Sequence, residues 1–220
     1  SADGSSPPFM GYLDLRFSNL CNLRCRTCGP TSSSAWYDEG IALHGPTEQP
    51  RYLRLGAAVE FWDDLLPLLD DVQSVNFAGG EPLMMEEHYR ILDHWIAAGK
   101  TDVDITYRTN FTNMRFKDKH VFDQWQLFGN VEVGASLDGS GARGEYLRKG
   151  MDWSAVLANR REMMLRCPHV RFIITATVSA LNALHICDFH RDWVDQRLGH
   201  IDAIELGMLT TPQFYSLRVL

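Results

Sequence analysis

Long apolar runs are missing from this chain, since no stretch approaches the roughly 18 consecutive apolar residues that a membrane span requires. Blocks of lysine and arginine are missing too, and the formal net charge is −7. That balance argues against a surface that wraps nucleic acid but permits a small charged substrate. An even set of cysteines is missing: of five, three fall within eight positions, while Cys167 and Cys187 stand alone in apolar surroundings. A disulfide framework therefore fits poorly and a metal or cluster site fits better, with the two lone cysteines read as small buried hydrophobes. The opening SADGSSPPFM has neither the charged start nor the apolar run of a signal peptide. The expectation is a cytoplasmic chain with no membrane or nucleic-acid partner.

What is present is ordinary globular composition, 45% hydrophobic and 22% charged over 220 residues. That is enough for one domain with a substantial core. Residues 1–11 read as a loose lead or cloning remnant and 12–220 as the domain. Within it, YLDLRFSN (12–19) alternates as a half-buried strand does, and SSSAWYDEG predicts a helix starting near Ser33 with a serine cap. A strand and helix rhythm follows, with strands at 74–80, 102–110, 131–139, 170–180 and 201–209. Helices fall at 58–71, 86–98, 117–127, 153–166 and 184–197. Six parallel strands with helical crossovers suit an incomplete barrel at least as well as a flat doubly wound sheet.

The unusual sequences gather at the carboxyl ends of these strands: the cysteines after the first, GGEP after the second, TN after the third, SLDG after the fourth, TVSALN after the fifth. Such a layout puts one site on one face. Cys21, Cys25 and Cys28 are one ligand short of a closed zinc site and of a fully thiolate-held 4Fe-4S cluster. Either a distant His or Asp completes a zinc site, or one iron is open to an amino and carboxylate chelate such as S-adenosylmethionine offers.

CNLRCRTC after a strand, followed by GGEP, resembles the radical S-adenosylmethionine (radical SAM) superfamily from about Tyr12 onward. SLDGSGARGEYLRKG and TATVSALN resemble the radical domain of its twitch and SPASM subgroup, whose C-terminal extension carries an auxiliary cluster. The resemblance implies an incomplete (βα)6 TIM-like barrel and an oxidoreductase-type enzyme. It implies that Cys21, Cys25 and Cys28 hold three irons of a 4Fe-4S cluster and S-adenosylmethionine occupies the fourth. Reduction by a donor such as a flavodoxin or ferredoxin then yields a 5′-deoxyadenosyl radical that takes hydrogen from a substrate. That substrate is a peptide or protein by resemblance, with a small molecule or nucleoside as the alternative. A non-enzymatic zinc or iron–sulfur module is the reading from another class.

By the same resemblance, Gly79 and Gly80 let backbone approach the cofactor, and Glu81 and Pro82 complete the motif whose carbonyls receive the methionyl ammonium. Ser136 and Asp138 suit ribose hydroxyls or the amino-acid part, and Arg148 suits the methionyl carboxylate. Thr109, Asn110, Ser179 and Asn182 are further contacts, and Leu206 to Met208 line the adenine. Thr27 departs from the aromatic residue frequent before the last cysteine.

Plainer readings stand beside these. GGEP and SLDG alone are turns, and Arg148 can pair with Glu145. The scattered histidines, including His94, His120, His169, His185, His190 and His200, are surface or packing groups. The helical tryptophans are core, with only Trp36 and Tyr37 positioned to face the site. Arg24 and Arg26 either offset cluster charge or face solvent.

Overall fold

The computed structural model describes residues 10–55 and 59–220. Most of the opening segment and residue 58, at the expected start of the second helix, lie outside that range. In chain order the elements are β1 (Tyr12–Leu15), β2 (Arg24–Cys25), a 3-10 turn at Ser34–Trp36, α1 (Tyr37–His44), α2 (Val59–Leu69), β3 (Ser74–Phe77), a 3-10 turn at Pro82–Met84 and α3 (Glu86–Ala97). They continue as β4 (Asp104–Thr109), β5 (Arg115–Phe116), β6 (Lys119–His120), α4 (Val121–Trp125), β7 (Asn130–Ala135), α5 (Gly141–Leu147) and β8 (Arg148–Lys149). The chain ends through α6 (Trp153–Arg166), β9 (Arg171–Val178), α7 (Ile186–Asp195), β10 (Ile204–Met208) and two short 3-10 turns.

Six strands form one parallel sheet in the order β1-β3-β4-β7-β9-β10. Sequential order with helical returns is the right-handed βα path, and β1 does not pair with β10, so the barrel is open. The side facing the helices is apolar: Val75, Phe77, Ile105, Tyr107, Val131, Val133, Phe172 and Ile174 are buried. Trp95 on α3 joins this core with its Nε1 donating to Leu69 O at 3.1 Å, which removes the cost of burying an indole N–H. Trp193 stacks on Phe172 with centroids 5.7 Å apart. The opposite parity is largely polar, with Tyr12 on β1 and Ile173 on β9 as apolar exceptions. Asp14, Asn76, Thr106 and Glu132 stand in register across four neighbouring strands. A parallel sheet is ordinarily apolar on both faces, so this polar concave side is where a ligand, not core, belongs.

Two local departures from the sequence expectation have physical causes. The helix expected at 117–127 begins only at Val121, because Arg115–Phe116 and Lys119–His120 pair as an antiparallel hairpin with Lys117 in the left-handed region at its tip. His120 Nδ1 then caps the helix by accepting from Phe122 N at 3.2 Å. SLDG keeps its expected irregular path, with a bend at Gly139 and Ser140, and α5 and the short strand β8 follow it. Cys187 is also exposed, unlike buried Cys167, since α7 turns Ile186, Phe189 and Trp193 to the core and position 187 away from it.

Candidate active site at the strand ends

The cysteine loop is held from several sides before any ligand is considered. Strand β2 inside it pairs antiparallel with β8, matching Arg24 to Lys149 and Cys25 to Arg148. Leu23 anchors the loop with no exposed surface. The Ser33 hydroxyl does not cap a helix, as its position suggested; it donates to Leu23 O at 2.6 Å. Trp36 Nε1 donates to Cys25 O at 3.0 Å, and Cys28 N donates to the same carbonyl at 3.0 Å, which turns the chain. Buried Asn19 ties the loop base to two further segments, donating to Pro30 O and Arg51 O and accepting from Leu53 N. Arg24 pairs with Glu39, and Arg26 lies over the Tyr146 ring at 3.8 Å.

The GGEP segment continues β3 alongside this loop, with Gly80 N donating to Ser18 O at 2.9 Å and Glu81 N to Leu20 O at 2.7 Å. A Cβ at Gly80 would lie 2.2 Å from Leu20 O. Gly80 therefore lets two backbones meet, and it also lines the cavity beside the cysteines. Gly79 has φ +113°, a conformation that glycine alone adopts without strain. The Glu81 side chain turns inward with no exposed surface. It accepts from Leu83 N, Thr109 Oγ1 and Asn110 N at 3.2, 2.7 and 2.7 Å. Burial pushes its carboxyl up to about 7 against the opposing pull of those three donors. Pro82 opens the 3-10 turn beneath it.

Arg148 Nη1 sits 3.7 Å from Cys25 Sγ, and its Nε lies 2.8 Å from Asp138 Oδ2, close in distance though not aligned as a hydrogen bond. Burial alone would lower the guanidinium's pKa, but Asp138 and the nearby thiols hold it above its ordinary value. Cys25 is drawn down to about 7, first by the Cys28 thiol that donates to it and then by Arg148. Cys28 is pushed up by that same bond. Burial pushes Cys21 up to about 11. Leu23 N and Asn110 Nδ2 point at Cys21 Sγ from 3.5 and 3.8 Å.

These groups surround a cavity of about 300 Å³ lined by Cys21, Cys25, Cys28, Gly79, Gly80, Asn110, Ser136 and Arg148. A larger one, about 770 Å³, adjoins it through Arg16, Ser32, Gly79 and Gly80. Thr27 is on the smaller cavity's wall as well, together with Arg16, Arg108 and Thr177, which the sequence reading passed over. Their strand-end positions on the polar parity are the signal that would have found them.

Other expected contacts lie elsewhere. Thr109 is buried against Glu81. Asp138 is not on the lining of this cavity; Arg148 lies against its carboxylate, and Thr177 N donates to it at 2.8 Å. Ser179 and Asn182 serve a buried turn: Asn182 Oδ1 accepts from Ser179 N, and its Nδ2 donates to Asp138 O and Thr177 O. Leu206 and Met208 are exposed. Glu205, just before them on β10, reaches to Arg108, so strand alternation puts Leu206 and Met208 on the opposite face. Trp36 and Tyr37 also lie off the wall, and Arg148 pairs with Asp138 instead of Glu145.

The donor set suits an iron–sulfur cluster. Three thiols line one cavity, a guanidinium and N–H groups point at the sulfurs, and hydrogen bonds to cysteinate sulfur tune such centres. Among the described residues, no three His, Cys, Asp or Glu side chains converge as a single ion's ligands would; the corners of a cluster splay their thiolates wider than one ion does.

No protein-family model matches the sequence. Curated relatives include the GTP 3',8-cyclase of Mycolicibacterium smegmatis, 37% identical over 99 residues, 44% of this chain and 24% of that protein. The GTP 3',8-cyclase of Campylobacter curvus is 26% identical over 127 residues, 58% of this chain and 34% of that protein. Among solved structures, hexahistidine-tagged anSMEcpe with bound AdoMet matches with TM-score 0.66 and 18% identity over 96% of this chain and 54% of that one. Streptococcus suis SuiB bound to precursor peptide SuiA matches with TM-score 0.61 and 17% identity over 94% of this chain and 41% of that one. The chain thus spans about a quarter to a third of these curated relatives and about half of these structures. The structural likeness establishes the open α/β barrel.

Proposed function

We propose, from the cysteine cavity, the open barrel and the matches to the two GTP 3',8-cyclases, that the chain is a member of the radical SAM superfamily and forms the core of an enzyme that binds a 4Fe-4S cluster through Cys21, Cys25 and Cys28. S-adenosylmethionine would complete the fourth iron. The observation that carries this reading is the convergence of the three thiols, the Gly79–Gly80 backbone and Arg148 on one cavity at the strand ends. When bound and reduced, that pair supplies a 5′-deoxyadenosyl radical for hydrogen abstraction. The chain's own residues bind, orient and exclude water. Arg148 stabilises the Cys25 thiolate and presents its remaining guanidinium edge to the methionyl carboxylate, with Asp138 fixing its angle. Asn110 and Leu23 N donate toward Cys21, and Ser136 offers a hydroxyl to the nucleoside part. An electron donor such as a flavodoxin or ferredoxin belongs to the same reading.

For the substrate we favour a peptide or protein side chain. SuiB with its precursor peptide and anSMEcpe with the Cp18Cys peptide share this fold over 94% and 89% of the chain. A nucleotide is the second reading, favoured by the two GTP 3',8-cyclase matches. Anaerobic reconstitution followed by iron and sulfide analysis tests the proposal. The expected result is a 4Fe-4S cluster that releases 5′-deoxyadenosine from S-adenosylmethionine on reduction, in the wild type and not in Cys25→Ala. Zinc without labile sulfide overturns it.

A further inference from the structure

The lining of the cysteine cavity is basic. It includes Arg16, Arg108 and Arg148, and among the described lining residues there is no aspartate or glutamate, in a chain of net charge −7. Arg148 is engaged by Asp138 and the Cys25 sulfur. Arg16 is gripped by both oxygens of Asp14, at 2.8 and 3.1 Å.

Arg108 differs from both. Its Nη1 is buried with no hydrogen-bond partner, and its Nη2 has Glu205 Oε2 at 3.3 Å, on the edge strand β10. The fold makes room for this guanidinium: a Cβ at Gly134 would lie 2.2 Å from Arg108 Nη1 and 2.9 Å from Tyr107 O. Gly134 pairs with Arg108 in the β4–β7 register and is absent from the positive-φ residues. Glycine is therefore there for space, not for backbone conformation. A strand that gives up a side chain to seat a charged group holds that guanidinium on the cavity wall, with Nη1 sealed against Gly134 and the rest of the fork left to meet an acceptor from a ligand. The side chain is 38% exposed, so it can be reached from the open side of the barrel.

The geometry points to Arg108 as a substrate-recognising residue, and to a substrate that carries an oxyanion, a carboxylate or a phosphate. The inference rests on reading this cavity as the reaction site and narrows what that site takes. A guanidinium fork matches either anion bidentately. Glu205 shares the fork and competes with the incoming anion, while Arg148, on the cysteine side, remains for the cofactor.

Isothermal titration with succinate and with pyrophosphate tests this and separates the two anions; succinamide is the neutral control. Saturable one-to-one binding of at least one anion, and none of succinamide, is expected. Arg108→Gln should weaken it at least about tenfold, while Arg108→Lys retains part of it. Glu205→Gln should tighten it, a gain that a purely structural role for Arg108 would not produce. S-adenosylmethionine binding by equilibrium dialysis should be the same in Arg108→Gln and wild type. Absence of anion binding at millimolar concentration, unchanged binding in Arg108→Gln, or equal loss of S-adenosylmethionine binding overturns the proposal. The titration is run on the protein as purified and after reconstitution, so failure to assemble a cluster counts against the proposed function alone.

Discussion

Arg148 and Asp138 form an ion pair whose side chains keep only 9% and 2% of their exposure, with Nε 2.8 Å from Oδ2. The pair joins the ribbon beside the cysteines to the end of β7, and through Thr177 N to β9. Neither charge tolerates the loss of its partner, because a buried charge left alone keeps its desolvation penalty without the compensating attraction.

Asp138→Ala is accordingly expected to destabilise the metal-free protein by about 3–5 kcal/mol in urea unfolding. The double replacement Arg148→Met with Asp138→Leu should cost less than that single change. Equal or greater loss in the double variant would show that the pair itself, and not the orphaned charge, sets the cost.

Gly80→Ala places a methyl group 2.2 Å from Leu20 O, a backbone atom that cannot swing aside. The expected cost is about 1–3 kcal/mol, as for other overpacked sites, with reduced iron content after reconstitution because the cysteine loop is displaced. Gly29→Ala, where nothing lies within 4 Å, is the comparison and should keep its iron.

Glu81 gives a pH dependence of defined sign. Its carboxyl is raised from 4.5 to about 7 in the folded state, so the folded protein holds this proton more tightly than the unfolded chain. Its contribution is complete below about pH 4.5, falls as pH rises to about 7 and is level above that, on the order of 3 kcal/mol in all. Glu81→Gln should flatten that segment of the urea midpoint against pH for the metal-free protein. A wild-type profile that rises through the same window would refute it.

Ser33→Ala leaves the buried Leu23 carbonyl without the hydroxyl that meets it at 2.6 Å. A loss of about 1–3 kcal/mol is expected, together with faster loss of iron from the reconstituted protein in air, since the freed loop exposes its thiolates. Iron release timed by a chelator measures it.

The strands were legible because their chemistry is local. Alternation in YLDL and DITYRT, and turn residues at their ends, predict strands without knowledge of any partner. CNLRCRTC and GGEP were legible for a similar reason: the spacing of like ligands and paired glycines is a property of a few adjacent residues. The segment around Arg148 was not, because strand β8 exists only through pairing with Arg24 and Cys25, more than a hundred residues away. Hydrogen bonds of that range leave no periodic trace in the chain.

The same division runs through the site. Residue type and order were enough to specify three thiolates, a glycine pair and six parallel strands with helical crossovers, since strand alternation and ligand chemistry act over short stretches; whether those strands curve into an open barrel or lie as a flat sheet was left to the resemblance and to folding. Which polar side chains face the cavity was decided only by folding. Asp138, Ser179 and Asn182 are drawn into internal bonds that satisfy buried polar groups. Leu206 and Met208 are turned out by the alternation that turns Glu205 in, and Arg108 is seated by a glycine on the neighbouring strand. Burial and register arise between segments distant in sequence, so only the packed barrel sorts groups that can meet a ligand from groups that hold the walls.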